Sequence, residues 1–377
     1  MAETPVVSFA PTEEQDLIRT TARQFIEERV PLETVRALMM SDDGFDPGLW
    51  GEMVRLGWTG LAIPEEHGGA GFGLVEMSVL LEEMGRMVTP GPFFASAVVA
   101  TQVVEEVAAP DQRAEILSAL ATGETIATLA IFEQARHWSP RDPATKAARN
   151  ETGWLLEGAK RAVLSGVIAD LFLVTASTDD GVSVFAIPTD TEGVEVSAEP
   201  VLDPTRRQAR VSLEAVQVPD EARLGEGDAA DALRLVLARA TTALASEQVG
   251  GAQRCMEMSV EYAKSRYQFG RPIGSYQAIK HRCANMLLKV EHARSAAYHA
   301  ARVANDMEEL AVAAPLAASL ASEAYVWVAG ENIQVHGGIG FTWEHDAHIY
   351  LKRAKASSLL FGDPGYQRGL LGEAIGI

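Results

Sequence analysis

Cysteine is almost missing from these 377 residues: Cys255 and Cys283 stand alone, with no CxxC and no metal-ligand spacing. That excludes a disulfide-stapled fold and a cysteine-built zinc centre, and it suits a reduced, cytoplasmic setting. Positive charge is short as well. Lys plus Arg number 32 against 52 for Asp plus Glu, a formal charge of −20, so nucleic acid and anionic membranes are poor partners. A local cluster of Arg and Lys can still hold an anionic ligand against that field. No apolar run reaches the ~20 residues of a membrane helix. The opening MAETPVVSFAPTEEQ has neither the basic region nor the apolar core of a signal peptide. Internal repeats and the GxGxxG of a βαβ dinucleotide site are also missing.

What is there divides into three parts, as the length alone suggests. In PTEEQDLIRTTARQFIEERV, Thr12 and Gln15 have capping-box spacing, and Leu17, Ile18, Ala22, Phe25 and Ile26 fall on one helical face. EMSVLLEEMGR and the run from Pro92 to about Ala121 continue the helical period. Ahead of both, IPEEHGGAGFG, with Gly68, Gly69, Gly71 and Gly73, reads as a tight turn. From Thr125 the period shortens. TIATLAIF, WLLEGAKRAVL, DLFLVTAST, GVSVFAIPT and RQARVSLEAVQVP are β-rich runs between turn residues. After LGEGDAADAL the helical period returns. The expectation is a multidomain α+β protein: an N-terminal helical domain (1–123), a middle all-β domain, barrel or sandwich (124–228), and a C-terminal four-helix bundle (229–377).

Three stretches carry a family likeness: LGWTGLAIPEEHGGAGFG, YAKSRYQFGRPIGSYQAIKHRCANM and NIQVHGGIGFTWEHD. With them the chain resembles the acyl-CoA dehydrogenases over almost its full length. The resemblance implies a noncovalent FAD where the β domain meets the C-terminal bundle, and an oligomer. It implies that Arg266, Gln268 and Phe269 of the R-x-x-FG motif, with Gln277, meet the ADP half of FAD across a subunit boundary. Gln334, Gly337 and Gly338 would line the pyrophosphate. The chemistry agrees, since Arg offers a permanent charge and a donor fork, and glycines let backbone N–H groups approach phosphate. Where many members have TEPxxGSD and W-I-T, this chain has FEQARHWSPRD from Phe132, and Ala162, Val163 and Leu164. Glu133 survives, but flavin binding through this half must rest on backbone and apolar packing.

The implied reaction is α,β-dehydrogenation of an acyl-CoA thioester. Its base must be desolvated, so that it holds a proton more tightly than free Glu at ~4.3. The family's usual position, the Glu of an EGT triplet, is occupied by Phe361, followed by Gly362 and Asp363. The alternative position, on the helix before R-x-x-FG, is Ala240. Glu247, in TTALASEQVGGAQRC, follows seven residues later, about 20° off the same face and roughly 10 Å further along. Glu247 is therefore the expected relocated base, against the plainer role of an interface Glu. Asp363 is the second candidate, although its GDP setting suits a turn cap. Glu344, His345, Asp346 and His348 read as polar residues at a helix start, with no metal site, and Arg239 as a guessed substrate guide. Two functions follow. One is a flavoenzyme oxidising a bulky, branched or steroid-derived acyl-CoA, passing electrons to an electron-transfer flavoprotein, as a homo-oligomer or as a heterotetramer with a second acyl-CoA dehydrogenase chain. The other is a non-catalytic partner subunit of such a heteromer.

Overall fold

The computed structural model describes residues 11–134 and 138–377; residues 135–137 of the FEQARHWSPRD stretch lie outside them. Six helices open the chain: α1 (Glu13–Arg29), α2 (Leu32–Met40), α3 (Pro47–Arg55), α4 (Leu74–Arg86), α5 (Thr101–Val107) and α6 (Pro110–Ala121). α1 starts on the expected box, Thr12 Oγ1 accepting from the Gln15 N–H and Gln15 Oε1 from the Thr12 N–H. Ala22 and Ile26 are buried, but Leu17 points to solvent. The glycine loop is a turn in which Gly69 lies so close to the Ile63 carbonyl that a Cβ would stand 2.0 Å from its oxygen. A π-helical stretch, Phe94–Ala100, leads into α5.

The middle domain has eight strands: β1 (Ala127–Ala130), β2 (Lys146–Asn150), β3 (Gly153–Leu164), β4 (Leu171–Thr178), β5 (Gly181–Pro188), β6 (Val194–Ala198), β7 (Gln208–Val218) and β8 (Arg223–Leu224). They form one sheet in the order β6-β7-β3-β2-β4-β5-β8, with β1 parallel to β4. The sheet has a core of its own, including Trp154, Leu156, Phe172, Val174, Phe185 and Val211. Five strands match the five runs read from sequence. β2 and β6 were hidden because they are mostly exposed and lack clear apolar alternation. At the W-I-T position β3 bulges: the register with β7 shifts between Lys160 and Val163, and Ala162 takes a φ of +52°.

The C-terminal part holds α7 (Ala230–Ser265), α8 (Gln277–Arg302), α9 (Met307–His336), α10 (Ala347–Ser357) and α11 (Pro364–Ile375). A small hairpin of β9 (Tyr267–Gln268) and β10 (Arg271–Pro272) joins α7 to α8. Three long helices pack together, and α10 and α11 share the fourth side of the bundle. α9 and the turn after it are long and apolar enough to cross a membrane by composition, contrary to the sequence expectation. That apolarity faces the bundle, where α9 packs on α7, α8, α10 and α11. The paired glycines of α7 have a packing cause. A Cβ on Gly250 would lie 1.8 Å from the Glu82 carbonyl oxygen of α4, and one on Gly251 would lie 2.4 Å from the Tyr325 ring of α9. One turn earlier, Gly85 of α4 meets the Glu247 carbonyl in the same way. Glu247 thus sits on a close crossing of α4 and α7.

Candidate active site

Glu247 is buried, with both carboxylate oxygens engaged. Arg206, on the loop before β7, donates through Nη2 to Oε2, and Arg353 of α10 donates through Nη1 to Oε1 at 3.1 Å. Arg353 also pairs with Asp203 at 2.9 Å. Its Nε donates to Thr205 Oγ1 at 3.0 Å and its Nη2 to the carbonyls of Val88 and Thr89. Two arginines and two carboxylates therefore form a buried quartet of zero net charge. Burial opposes the Arg353 charge, yet Asp203 and Glu247 outweigh it and its pKa rises. At Arg206 burial prevails over Glu247, and the pKa falls. The quartet borders a recess of about 20 Å³ walled by Leu81, Met84, Phe93 and Phe94. Among the described residues, Glu247 is the only acid lining it.

Phe361 is buried beside this recess, its ring 6.1 Å from Phe94 and 6.3 Å from Phe132. An apolar wall therefore stands where the usual base would project. Asp363 caps α11, accepting from the Tyr366 N–H at 2.8 Å. Arg239 is no substrate guide, because its guanidinium is spent on Glu106, Gln102, Asn305 and the Ala304 carbonyl. Glu133 turns away from a ligand role as well. It accepts from the backbone N–H groups of Ala144 and Thr145 and from the buried Lys160 at 2.6 Å. Desolvation pulls Lys160 down to a pKa of about 8 against that pairing.

Asp203, Thr205, Arg206 and Arg353 were missed at the level of sequence. Their partners lie up to 265 residues away, and LDPTRR reads only as a polar strand start. The stretch Glu344–His348 supplies local structure: His345 Nδ1 accepts from the Ala347 N–H, and His348 stacks on Trp343.

The residues assigned to FAD gather elsewhere, at the far end of the bundle. Arg266 lies about 28 Å further along α7 than Glu247, at 1.5 Å per residue. α8 begins and α9 ends at that same end, tied by Arg282 to Glu331, by Ser259 to Asn332 at 2.9 Å, and by Tyr262 stacked on His336 at 4.3 Å. The donor set fits a pyrophosphate and a nucleoside. Arg266 is exposed and its guanidinium has no partner among the described residues. Gln277 opens the 26-residue α8, whose first N–H groups lack acceptors within the helix. Gly337 has a φ of +64°, and a Cβ on Gly337 or Gly338 would meet nothing within 4 Å, so the turn leaves room for a ligand at its surface, while the Gly337 N–H itself is held by the Gln334 and Ile333 carbonyls. Gln268, Phe269 and Gln334 are exposed around them.

Comparison with known proteins covers almost the whole chain. Family profiles described as acyl-CoA dehydrogenase N-terminal, middle and C-terminal domains match residues 12–124, 128–215 and 228–376. The chain is 37% identical over 364 residues to the acyl-CoA dehydrogenase IpdE2 of Mycobacterium tuberculosis, covering 94% of this chain and 95% of that one. Among solved structures, a chain of the ChsE4–ChsE5 complex from Mycobacterium tuberculosis superposes with a TM-score of 0.90 at 29% identity, over 98% and 99% of the two chains. A Tcur3481–Tcur3483 steroid ACAD variant gives 0.88 at 31%, over 97% and 98%.

Proposed function

This chain belongs to the acyl-CoA dehydrogenase family and is an FAD-dependent oxidoreductase, and we propose that it oxidises a bulky, branched or steroid-derived acyl-CoA with Glu247 as the base. The observation that carries this is the setting of Glu247: it is the one acid of a desolvated recess, beside the Phe361 that replaces the usual base. FAD, when bound, accepts the β-hydrogen as hydride. Glu247 takes the α-proton, and the apolar wall of Phe93, Phe94 and Phe361 excludes water. A bulky substrate is supported by relatives whose names include a steroid ACAD.

The chain works with a second acyl-CoA dehydrogenase chain, in the cytoplasm, and passes electrons to an electron-transfer flavoprotein. Support comes from the ChsE4–ChsE5 relative and from the exposed ADP-binding residues, which sit apart from the recess. The alternative is a partner subunit that contributes cofactor contacts but no base. It is favoured by one observation, that two guanidiniums already occupy both oxygens of Glu247.

Glu247→Gln separates the two. If Glu247 is the base, the variant complex keeps its flavin and binds acyl-CoA, while single-turnover flavin reduction falls by at least ~10³-fold. Reduction near the wild-type rate assigns the base to the partner chain.

A further inference from the structure

The charges of the quartet oppose a proton on Glu247. Arg206, Arg353, Asp203 and Glu247 sum to zero, so a proton added to Glu247 would leave one surplus positive charge buried. With Arg206 withdrawn, the other three carry one negative charge, and the same proton would neutralise them. The two guanidiniums are held unequally in the same sense. Arg353, 2% exposed, is fixed by Asp203, Thr205, Glu247 and the Val88 and Thr89 carbonyls. Arg206, 9% exposed, is the outermost of the four. Among the described residues its side chain bonds to Glu247 and, at a long 3.4 Å, to Ser357 Oγ, with the guanidinium 5.0 Å from the centre of the Phe94 ring. The backbone around it is pinned. The Arg206 N–H donates to the Asp203 carbonyl at 3.2 Å, the Thr205 carbonyl accepts from Arg353 at 3.3 Å, and Arg207 reaches the Met39 carbonyl at 3.0 Å. What remains free to move is the long Arg206 side chain, by rotamer changes. At about 20 Å³ the recess it borders has room for a water and not for an acyl chain.

We propose that Arg206 is a latch, which rests on Glu247 being the base: it closes the recess over Glu247 in the substrate-free chain and swings outward when the acyl group enters. Closed, it occupies Oε2 and keeps the carboxylate out of use. Open, it bares Oε2, while Arg353 retains Oε1 and holds the carboxylate in place. The acyl group takes the position against Phe94 that the guanidinium leaves, so an apolar contact replaces a buried charge. The latch also resolves the tension between a base and two guanidiniums, because only one of the two is a permanent partner. It lowers affinity, since only the open fraction of the protein binds substrate.

The test uses the FAD-loaded protein co-expressed with its partner chain, and phenylacetyl-CoA, whose β-carbon has no hydrogen to lose. Flavin absorbance reads its Kd, and exchange of its α-hydrogens in D2O reads proton abstraction. Wild type should exchange the probe and Glu247→Gln should not. Arg206→Met removes the charge and keeps an unbranched chain. It should bind the probe about tenfold more tightly, and exchange at limiting probe should rise by the same factor. Arg206→Lys keeps a charge to pair with Glu247 and should stay near wild type. In the Glu247→Gln background, whose neutral amide holds the latch only weakly, Arg206→Met should shift Kd less than about twofold. A purely structural ion pair or a contact to the ligand predicts the opposite sign. Unchanged or weaker binding in Arg206→Met, with no exchange in Glu247→Gln, therefore overturns the latch alone. Normal exchange in Glu247→Gln, or none in wild type, overturns the base and the latch with it. If Arg206→Met loses its flavin, Arg206→Gln decides by the same sign, and loss of flavin in both makes the arginine a structural strut and overturns the latch.

Discussion

Arg353 touches every domain from one fully buried guanidinium. It reaches the Val88 and Thr89 carbonyls after α4, Asp203 and Thr205 of the β domain, and Glu247 of the C-terminal bundle. Such a group stabilises chiefly through what its loss would leave behind, since two carboxylates and four backbone or hydroxyl acceptors would lose it as a partner. Arg353→Met should therefore cost about 3–5 kcal/mol of unfolding free energy, the range for breaking a buried ion pair on one side. Urea unfolding measures it. Adding Asp203→Asn should recover part of the loss, because one orphaned charge goes with it. A cost below about 1 kcal/mol, the value of an exposed pair, would mean that water enters the quartet.

At the scale of elements, the crossing of α4 and α7 sets the position of Glu247. Gly85 and Gly250 bring the two backbones so close that each would press a Cβ into the opposite carbonyl, at 2.0 and 1.8 Å. In a free helix Gly250→Ala would gain about 1 kcal/mol of propensity. Here it should destabilise by about 2 kcal/mol or more, since the obstacle is backbone and cannot rotate away. Thermal melts would decide, and a gain in stability would mean that the helices part at no cost. This crossing also marks the limit of what sequence conveys. The capping box of α1 and five strands were legible because their signals are local. The proposed cofactor residues could be assigned because a whole motif fixes their register, and the structure gathers them at one end of the bundle. Gly250 and Gly251 showed only that α7 is lined with small residues. Neither the helix facing each nor the pairing of Glu247 with Arg206 and Arg353 could be read, because those partners come from other domains. β2 and β6 escaped for the opposite reason, their exposed faces giving no period to detect.

For the whole molecule, the decisive surface is the end of the bundle around Arg266. Phe269 is 92% exposed, Phe341 84%, Tyr267 62% and Trp343 56%. Phe269 holds a φ of +53°, a conformation a non-glycine residue adopts at a cost. A ring presented so fully, beside a guanidinium with no partner among the described residues and the open Gly337–Gly338 turn, fits a contact completed in an assembly, where aromatic and arginine side chains dominate binding. Phe269→Asp should then lower the assembly mass by light scattering and cut the FAD-to-protein ratio severalfold, with circular dichroism unchanged. Leu17→Asp, at an exposed position on α1, serves as the control and should alter neither. The pairing of effects matters more than either alone. Loss of flavin without loss of mass would make Phe269 a contact within one subunit, and loss of mass without loss of flavin would separate the interface from the cofactor. Only the joint loss fits a flavin shared across chains, with the recess of Glu247 in one place and the grip on its ADP half about 28 Å along the same helix.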